Sequence, residues 1–156
     1  MTAYRLLVAG SRKGGIPDEI VHASLDVLVG RWGLPSGVIE GGAVGVDQAG
    51  KDWAIARGLP VAEIPYGRGK RDGVSPSLWG KRRNWVMALA GQRNERELRA
   101  AVFWDGMSGG TAHMLAVLYT RRVPAAVVLL PGAEVLDLGL EELALVPKFE
   151  PAGVMP

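Results

Sequence analysis

Three glycine-rich segments in this chain each follow a short apolar run and precede a helical pattern. They are Gly10-Ser11-Arg12, Gly41 to Asp47, and Asp105 to Thr111. Glycine costs about 0.5–1 kcal/mol relative to alanine inside regular structure, so such clusters need a steric or functional reason. Backbone amides at a helix start bind anions well, because the helix dipole adds positive charge there. We therefore expect a phosphate-bearing ligand at these corners; the alternative is that the glycines only permit tight turns and close packing.

Charged side chains near the corners could complete such a site. Arg12 follows the first corner, and Arg83 with Asn84 begins a later helix, where a guanidinium fork would match phosphate geometry. Glu40 precedes the second corner, and we expect it at the mouth of a cleft. Its carboxylate could accept hydrogen bonds from ribose hydroxyls or act as the catalytic nucleophile of an N-glycosidase; the alternative is a strand-end acid paired with an arginine.

Two further acids, Asp47 and Asp105, could have either a ligand-binding or a purely structural role. Asp47 falls in the first turn of its predicted helix, where the dipole favours a negative charge without any ligand. Asp105 could contact a ribose or simply cap the next turn. His113 is expected to be a buried, hydrogen-bonded histidine rather than a catalytic one.

Several kinds of site are absent from the sequence. There is no Gly-x-x-x-x-Gly-Lys-Ser/Thr motif of P-loop hydrolases, and no Gly-x-Gly-x-x-Gly after the first apolar run. The chain has no cysteine and only two histidines, which excludes thiol chemistry and is too few for a typical zinc site. We therefore predict neither a metal nor a cofactor.

Short apolar runs alternate with helical patterns about five times. This pattern predicts an α/β, Rossmann-like three-layer sandwich with a mainly parallel sheet of about five or more strands. The predicted strands are 4–9, 37–40, 60–65, 100–104 and 125–130, and the predicted helices are 17–32, 44–57, from Gly80 or Lys81 to 90, and 111–121. A basic loop is predicted from Gly67 to Trp79, and the segment 134–149 could form a short strand or a helical turn.

Length and composition fit one folded domain. The 156 residues are 48% apolar, and we assign 1–150 to a single domain and 151–156 to a tail. Net charge is only +2, but six basic residues and one acid lie between Gly67 and Asn84, which suits a small anionic ligand or a limited nucleic-acid contact. No apolar run of about 18 residues and no signal-peptide pattern occur, so we expect a cytoplasmic protein without a membrane partner. The helix 111–121 is apolar beyond one face, which is consistent with a homodimer.

Four motifs in series carry a resemblance to a known family. They are Val8-Ala-Gly-Ser-Arg12; Glu40-Gly-Gly-Ala-Val-Gly-Val-Asp47 with Trp53-Ala54; Gly80-x-x-Arg83-Asn84-x-x-Met87; and Phe103-Trp-Asp-Gly-Met-Ser-Gly-Gly-Thr-Ala-His-Met114. Together they resemble the SLOG superfamily of Rossmann-like proteins, in its YspA-like branch, which is related to DprA and to the LOG enzymes. The resemblance covers roughly Tyr4 to Leu130.

This resemblance implies a nucleotide or nucleotide-derived ligand in a sensor or nucleotide-processing protein. The ligand-binding residues that it implies are Gly10, Ser11, Arg12, Gly41, Gly42, Gly45, Asp47, Arg83, Asn84, Ser108, Gly109, Gly110 and Thr111, to which we add Asp105. LOG enzymes, which hydrolyse nucleoside monophosphates, carry a glutamate three residues after the threonine, where this chain has Met114. That hydrolase activity therefore stays an alternative, as does single-stranded nucleic-acid binding of the DprA kind, which the low net charge disfavours.

Overall fold

The computed structural model describes residues 3–12, 16–65, 73, 75–130 and 132–138. Within these residues, six strands alternate with four helices, and a single 3-10 turn (Arg93–Glu95) precedes the fourth strand. In chain order they are β1 (Tyr4–Gly10), α1 (Asp18–Trp32), β2 (Gly37–Glu40), α2 (Val46–Ala56), β3 (Val61–Glu63), α3 (Pro76–Gly91), β4 (Glu97–Trp104), α4 (Gly109–Thr120), β5 (Ala125–Leu129) and β6 (Glu134–Leu138). None of the helices in the described part of the chain is long and apolar enough to cross a membrane.

The strands form one sheet in the order β3-β2-β1-β4-β5-β6. Every neighbouring pair is parallel except β5 and β6, which run antiparallel. This arrangement confirms the predicted α/β, Rossmann-like sandwich. The chain leaves β3 at one edge and returns beside β1, so the strand order reverses between β1 and β4. Ligands of open α/β sheets bind in the crevice at such a reversal, beyond the carboxyl ends of the strands.

Two separate cores cover the two faces of the sheet. Because successive strand residues point to opposite faces, Leu6 and Val8 pack with α1 and α2, whereas Leu7 and Ala9 pack with α3 and α4. β1 and β4 are buried along nearly their whole length. This two-sided burial explains why residues 6–9 of β1 and 100–104 of β4 are continuously apolar instead of alternating with polar residues.

Two predicted boundaries are wrong by three or more residues. Helix α3 begins at Pro76 and not at Gly80 or Lys81, so Trp79 lies in the helix and not in a loop. Proline is favoured in the first turn, where its missing N–H has no intrahelical partner to lose, and Ser75 precedes it as the cap residue. Strand β4 begins at Glu97, three residues before the predicted start. The polar residues at its beginning pair with the start of β1.

The apolar residues of α4 that do not face the sheet pack against another helix of the same chain. Val117 packs with Trp85 and Ala88 of α3, so a second face of α4 meets a neighbouring helix. The fold therefore gives no support for a homodimer through this helix. Of the segment 134–149, β6 occupies the beginning; residues 139–150 and the predicted tail 151–156 lie outside the described residues.

Two helical glycines give a matched test of packing against the sheet. A Cβ at Gly50 in α2 would lie 2.7 Å from Val8 Cγ1 on β1, whereas a Cβ at the exposed Gly30 in α1 would meet no atom within 4 Å. Alanine in a helix gains about 1 kcal/mol over glycine, but overpacking a core costs about 1–3 kcal/mol. We expect Gly30→Ala to raise the free energy of unfolding by about 0.5–1 kcal/mol and Gly50→Ala to lower it by about 1 kcal/mol in urea titrations.

The contact with Val8 is tested by a double variant. Shortening that side chain with Val8→Ala should make Gly50→Ala less costly than it is in the natural background. Equal stabilisation by Gly30→Ala and Gly50→Ala would contradict close packing of α2 on β1.

Candidate ligand-binding site

A cavity of about 820 Å³ opens at the carboxyl ends of β1 and β4, on the face that α3 and α4 cover. We call it the cleft. It coincides with the reversal of strand order, and Gly10 and Phe103 are register partners beside it. Its lining residues are Ala9, Gly10, Arg12, Ala43, Asp47, Pro76, Gly80, Lys81, Arg83, Asn84, Met87, Asp105, Met107, Ser108, Gly109, Gly110, Thr111, His113 and Met114.

The structure brings most of the predicted site residues to this cavity. Those that line it are Gly10, Arg12, Asp47, Arg83, Asn84, Asp105, Ser108, Gly109, Gly110 and Thr111. Those that do not are Ser11, Glu40, Gly41, Gly42 and Gly45. All three glycine-rich corners therefore reach the cleft, but the second reaches it through Ala43 and Asp47 and not through its glycines.

The amides of the second corner are bound by the protein's own carboxylates. Asp47 Oδ2 accepts hydrogen bonds from Gly41 N at 3.1 Å and from Ala43 N at 3.2 Å. Gly42 N donates to Glu40 Oε2. The expectation that Gly41 and Gly42 offer amides to a phosphate is therefore wrong, because an internal carboxylate already occupies the anion's place.

Glycine is required at this corner for two different reasons. A Cβ at Gly41 would lie 2.4 Å from a guanidinium nitrogen of Arg83 and 2.8 Å from Asp47 Oδ2, so only glycine lets these side chains come so close. Gly45 has φ 97° where it precedes α2, a conformation that L side chains rarely adopt. The steric reading of this corner is thus the correct one.

Arg83 and Asp47 join two walls of the cleft. The Nη1 group of Arg83 donates to Gly41 O at 3.0 Å. Burial raises the pKa of Asp47, while the bonds from Ala43 and Gly41 and the charge of Arg83 oppose that rise. Arg83 therefore faces the Gly41 corner, and part of its charge is balanced by Asp47.

The third corner is organised by Asp105. Its Oδ1 accepts hydrogen bonds from Met107 N at 2.8 Å and Ser108 N at 2.7 Å, and these bonds lower the pKa of Asp105. Trp104 Nε1 donates to Ser108 O at 3.1 Å, and Asp105 N donates to Ser11 Oγ. Asp105 thus caps the turn. Ser11 does not line the cleft, but its hydroxyl holds the beginning of the turn through Asp105 N.

The backbone amides in the first turn of α4 are available to a ligand in the cleft. Ser108 is the N-cap, but its side chain makes no capping bond. The N–H groups of Gly109, Gly110 and Thr111 have no partner among the described residues, as expected for the start of a helix that lacks a side-chain cap. All three residues line the cleft, and the dipole of a 12-residue helix adds positive charge there.

Glu40 is placed differently from the prediction. Its side chain is 0% exposed and does not line the cleft, so it is not at the mouth. Oε1 is buried and has no hydrogen-bond partner among the described residues. Desolvation, together with the neighbouring charges of Glu63 and Asp47, raises the pKa of Glu40 to about 7, although the bond from Gly42 opposes the rise.

Sequence reasoning missed Lys81 and undervalued His113 as site residues. Lys81 lies one turn into α3, and its position within the basic stretch was the signal that could have placed it. His113 Nδ1 lies 3.0 Å from Asn84 Nδ2, which also donates to Gly110 O at 3.2 Å. The expected hydrogen bond is present, but His113 is half-buried instead of buried, and it lines the cleft.

Apolar residues form the floor and part of the rim. Ala9, Met87 and Met114 line the inner part and are themselves buried. Met107 lines the cleft with 71% of its surface exposed, and Val44, beside the lining residue Ala43, is 86% exposed. The cleft therefore combines amide donors and cations with exposed apolar side chains. In the described residues no group of three or more histidine, cysteine or acidic side chains is placed to hold a metal ion.

Comparison with known proteins adds no further assignment. No protein-family model, no curated protein and no solved structure matches the chain. The resemblance to the SLOG superfamily therefore stays a prediction, and the functional argument depends on the geometry of the cleft.

Proposed function

We propose that the protein binds a phosphorylated nucleoside in the cleft and belongs to the SLOG superfamily, in its YspA-like branch. The observation that carries the proposal is the first turn of α4, whose three amides lack partners among the described residues and line the cavity at the strand-order reversal. Helix starts with amides available in this way are favourable phosphate sites. The phosphate is assigned to Gly109, Gly110 and Thr111.

Charge and size support the same assignment. Arg12 and Lys81 line the cleft together with Arg83, whereas the lining acids Asp47 and Asp105 accept backbone hydrogen bonds. A volume of about 820 Å³ lies within the range of small-molecule sites and accommodates more than a phosphate ion. Met107 offers apolar contact area for a nucleobase at the rim.

The lining chemistry favours binding over hydrolysis. Met114 occupies the position of the LOG glutamate and is buried in the apolar floor. Bonds from backbone amides lower the pKa of Asp105, so it is not suited to act as a general acid. Asp47 Oδ2 is occupied by hydrogen bonds from the amides of Gly41 and Ala43. For nucleic-acid binding, three of the predicted basic residues, Arg68, Lys70 and Arg71, lie outside the described residues.

A pair of substitutions at one position tests the phosphate site. Gly109 is the first residue of α4, where proline is tolerated, and the extended backbone of Ser108 suits a following proline. Gly109→Pro removes one N–H, whereas Gly109→Ala keeps it, and a Cβ at this position meets no atom within 4 Å. A lost hydrogen bond to a charged group is worth about 1.5–3 kcal/mol, so Gly109→Pro should weaken binding about tenfold or more.

The measurement is a thermal-shift series with nucleoside 5′-monophosphates, followed by calorimetric titration of both variants. Saturation at 100 times the dissociation constant should add about 2.7 kcal/mol to the stability of the natural protein. Gly109→Ala should bind as the natural protein does. If no phosphorylated nucleoside stabilises the protein, or if both variants bind equally well, the proposal fails.

A further inference from the structure

One buried amide side chain fixes the chemical state of a histidine in the cleft. Asn84 on α3 is 4% exposed, and its Nδ2 contacts both Gly110 O at 3.2 Å and His113 Nδ1 at 3.0 Å. Asn84 and His113 also line the cleft. The two contacts together determine where the imidazole proton resides.

The carbonyl oxygen of Gly110 can only accept a hydrogen bond. The group that Asn84 turns toward it must therefore be its NH2 group, whose two hydrogens serve Gly110 O and His113 Nδ1. Nδ1 must then be unprotonated, because two donors cannot face each other. A neutral imidazole with unprotonated Nδ1 carries its proton on Nε2.

The surroundings of His113 keep the ring neutral. Desolvation, together with the charge of Lys81, lowers the pKa of His113 to about 4. The other charged groups that line the cleft are the cations Arg12 and Arg83 and the acids Asp47 and Asp105, both of which bond to backbone amides. Nε2–H has no partner among the described residues, and a helical side chain at 113 leans back toward the amides of the first turn.

We propose that His113 is a ligand-binding residue whose neutral Nε2–H donates to a phosphate oxygen of the nucleotide, and that Asn84 is the positioning residue that sets its tautomer. This inference rests on the proposed function. A neutral donor adds a hydrogen bond beside Lys81 without adding a like charge. Because the ring is already neutral, this contact does not change from about pH 5 upward, where a titrating histidine would lose its positive charge.

The tautomer is measured first, on the natural protein without ligand. Long-range proton–nitrogen NMR spectra distinguish a protonated Nε2 from a protonated Nδ1, and His113 is expected to show the former at pH 7. In Asn84→Asp the carboxylate accepts from Nδ1–H, so the proton should move to Nδ1 and the histidine should titrate at higher pH. A natural protein with a protonated Nδ1 would overturn the inference whether or not the variant folds.

Binding of adenosine 5′-monophosphate is measured next. His113→Phe should weaken it about tenfold or more, and His113→Gln, which keeps a neutral N–H donor, should stay within about threefold. Asn84→Asp should lose at least tenfold, because it turns Nε2 into an acceptor facing the phosphate. The matched control is His22→Phe, since His22 bonds Ala49 O on the opposite face of the sheet.

The outcomes separate the two proposals. If the natural protein binds the nucleotide and His113→Phe binds it equally well, the role of His113 is disproved and the proposed function stands. If the natural protein does not respond to adenosine 5′-monophosphate or to any other nucleoside monophosphate, both fall.

Discussion

Replacing Asp47 by alanine should lower the free energy of unfolding by about 3 kcal/mol. Asp47 Oδ2 is the hydrogen-bond acceptor for Gly41 N, which is buried, and for Ala43 N. A buried donor that loses its partner costs about 1–3 kcal/mol, and the total stability of a domain is only about 5–15 kcal/mol. Arg83 would also lose the neighbouring negative charge. Chemical denaturation at pH 7 measures the change.

The control lies on the same helix. Asp52 is exposed in α2, and among the described residues it accepts a hydrogen bond from Gln48 alone, so Asp52→Ala should change stability by no more than about 0.5 kcal/mol. If Asp47→Ala were as mild as Asp52→Ala, water would be satisfying the amides of the Gly41 corner. That result would restore those amides as candidate anion donors.

Glu40→Gln should stabilise the protein at pH 8 by about 2 kcal/mol and leave it nearly unchanged at pH 4. The pKa of Glu40 is about 7 in the folded protein against an ordinary value of 4.5. Between these values the folded protein holds a proton that the unfolded chain releases, so stability falls as the pH rises from 4.5 to 7. The full shift would correspond to about 3 kcal/mol, but water beside the exposed Gly42 screens the charge and reduces the effect.

Glutamine fits this place better than an ionised glutamate. Its oxygen can accept from Gly42 N as Oε2 does, and its NH2 group can donate toward the Glu63 carboxylate that now repels Glu40. Stability should be measured from pH 4 to pH 8 for Glu40→Gln and for Glu63→Gln. The second variant removes the repulsion together with the Lys51–Glu63 ion pair, so it should show a smaller gain. An equal pH slope in Glu40→Gln and the natural protein would rule out Glu40 as the source.

The sequence was sufficient for the sheet and for the convergence of its corners. Strands such as Ala125–Leu129 are continuously apolar because the sheet is covered on both faces, and that burial is visible in the residue types. The carboxyl ends of parallel strands share one edge, so three corners after three strands had to meet. The start of α3 was missed because the prediction extended the glycine-rich loop past Pro76.

The sequence does not predict which backbone amides of the site are bonded by the protein's own carboxylates. Gly41 and Gly109 look alike as sequence, but Asp47 folds back onto the amide of the first while no side chain caps the second. Whether an acid in a first turn binds its own backbone depends on side-chain geometry that spacing does not encode. The same limit applies to Glu40, whose strand-end position suggested exposure although its side chain is fully buried.

Arg83 and Asn84 are consecutive residues, yet they hold opposite walls of the cleft. Arg83 donates to Gly41 O beside α2, and Asn84 donates to Gly110 O in α4. Helix α3 therefore connects both walls and sets the width of the cleft between them. A small tilt of α3 would strain both bonds at once. A ligand that fits one cleft width therefore also favours one orientation of α3. By the same coupling, a contact elsewhere that shifts the orientation of α3 changes the affinity for the ligand by an equal factor.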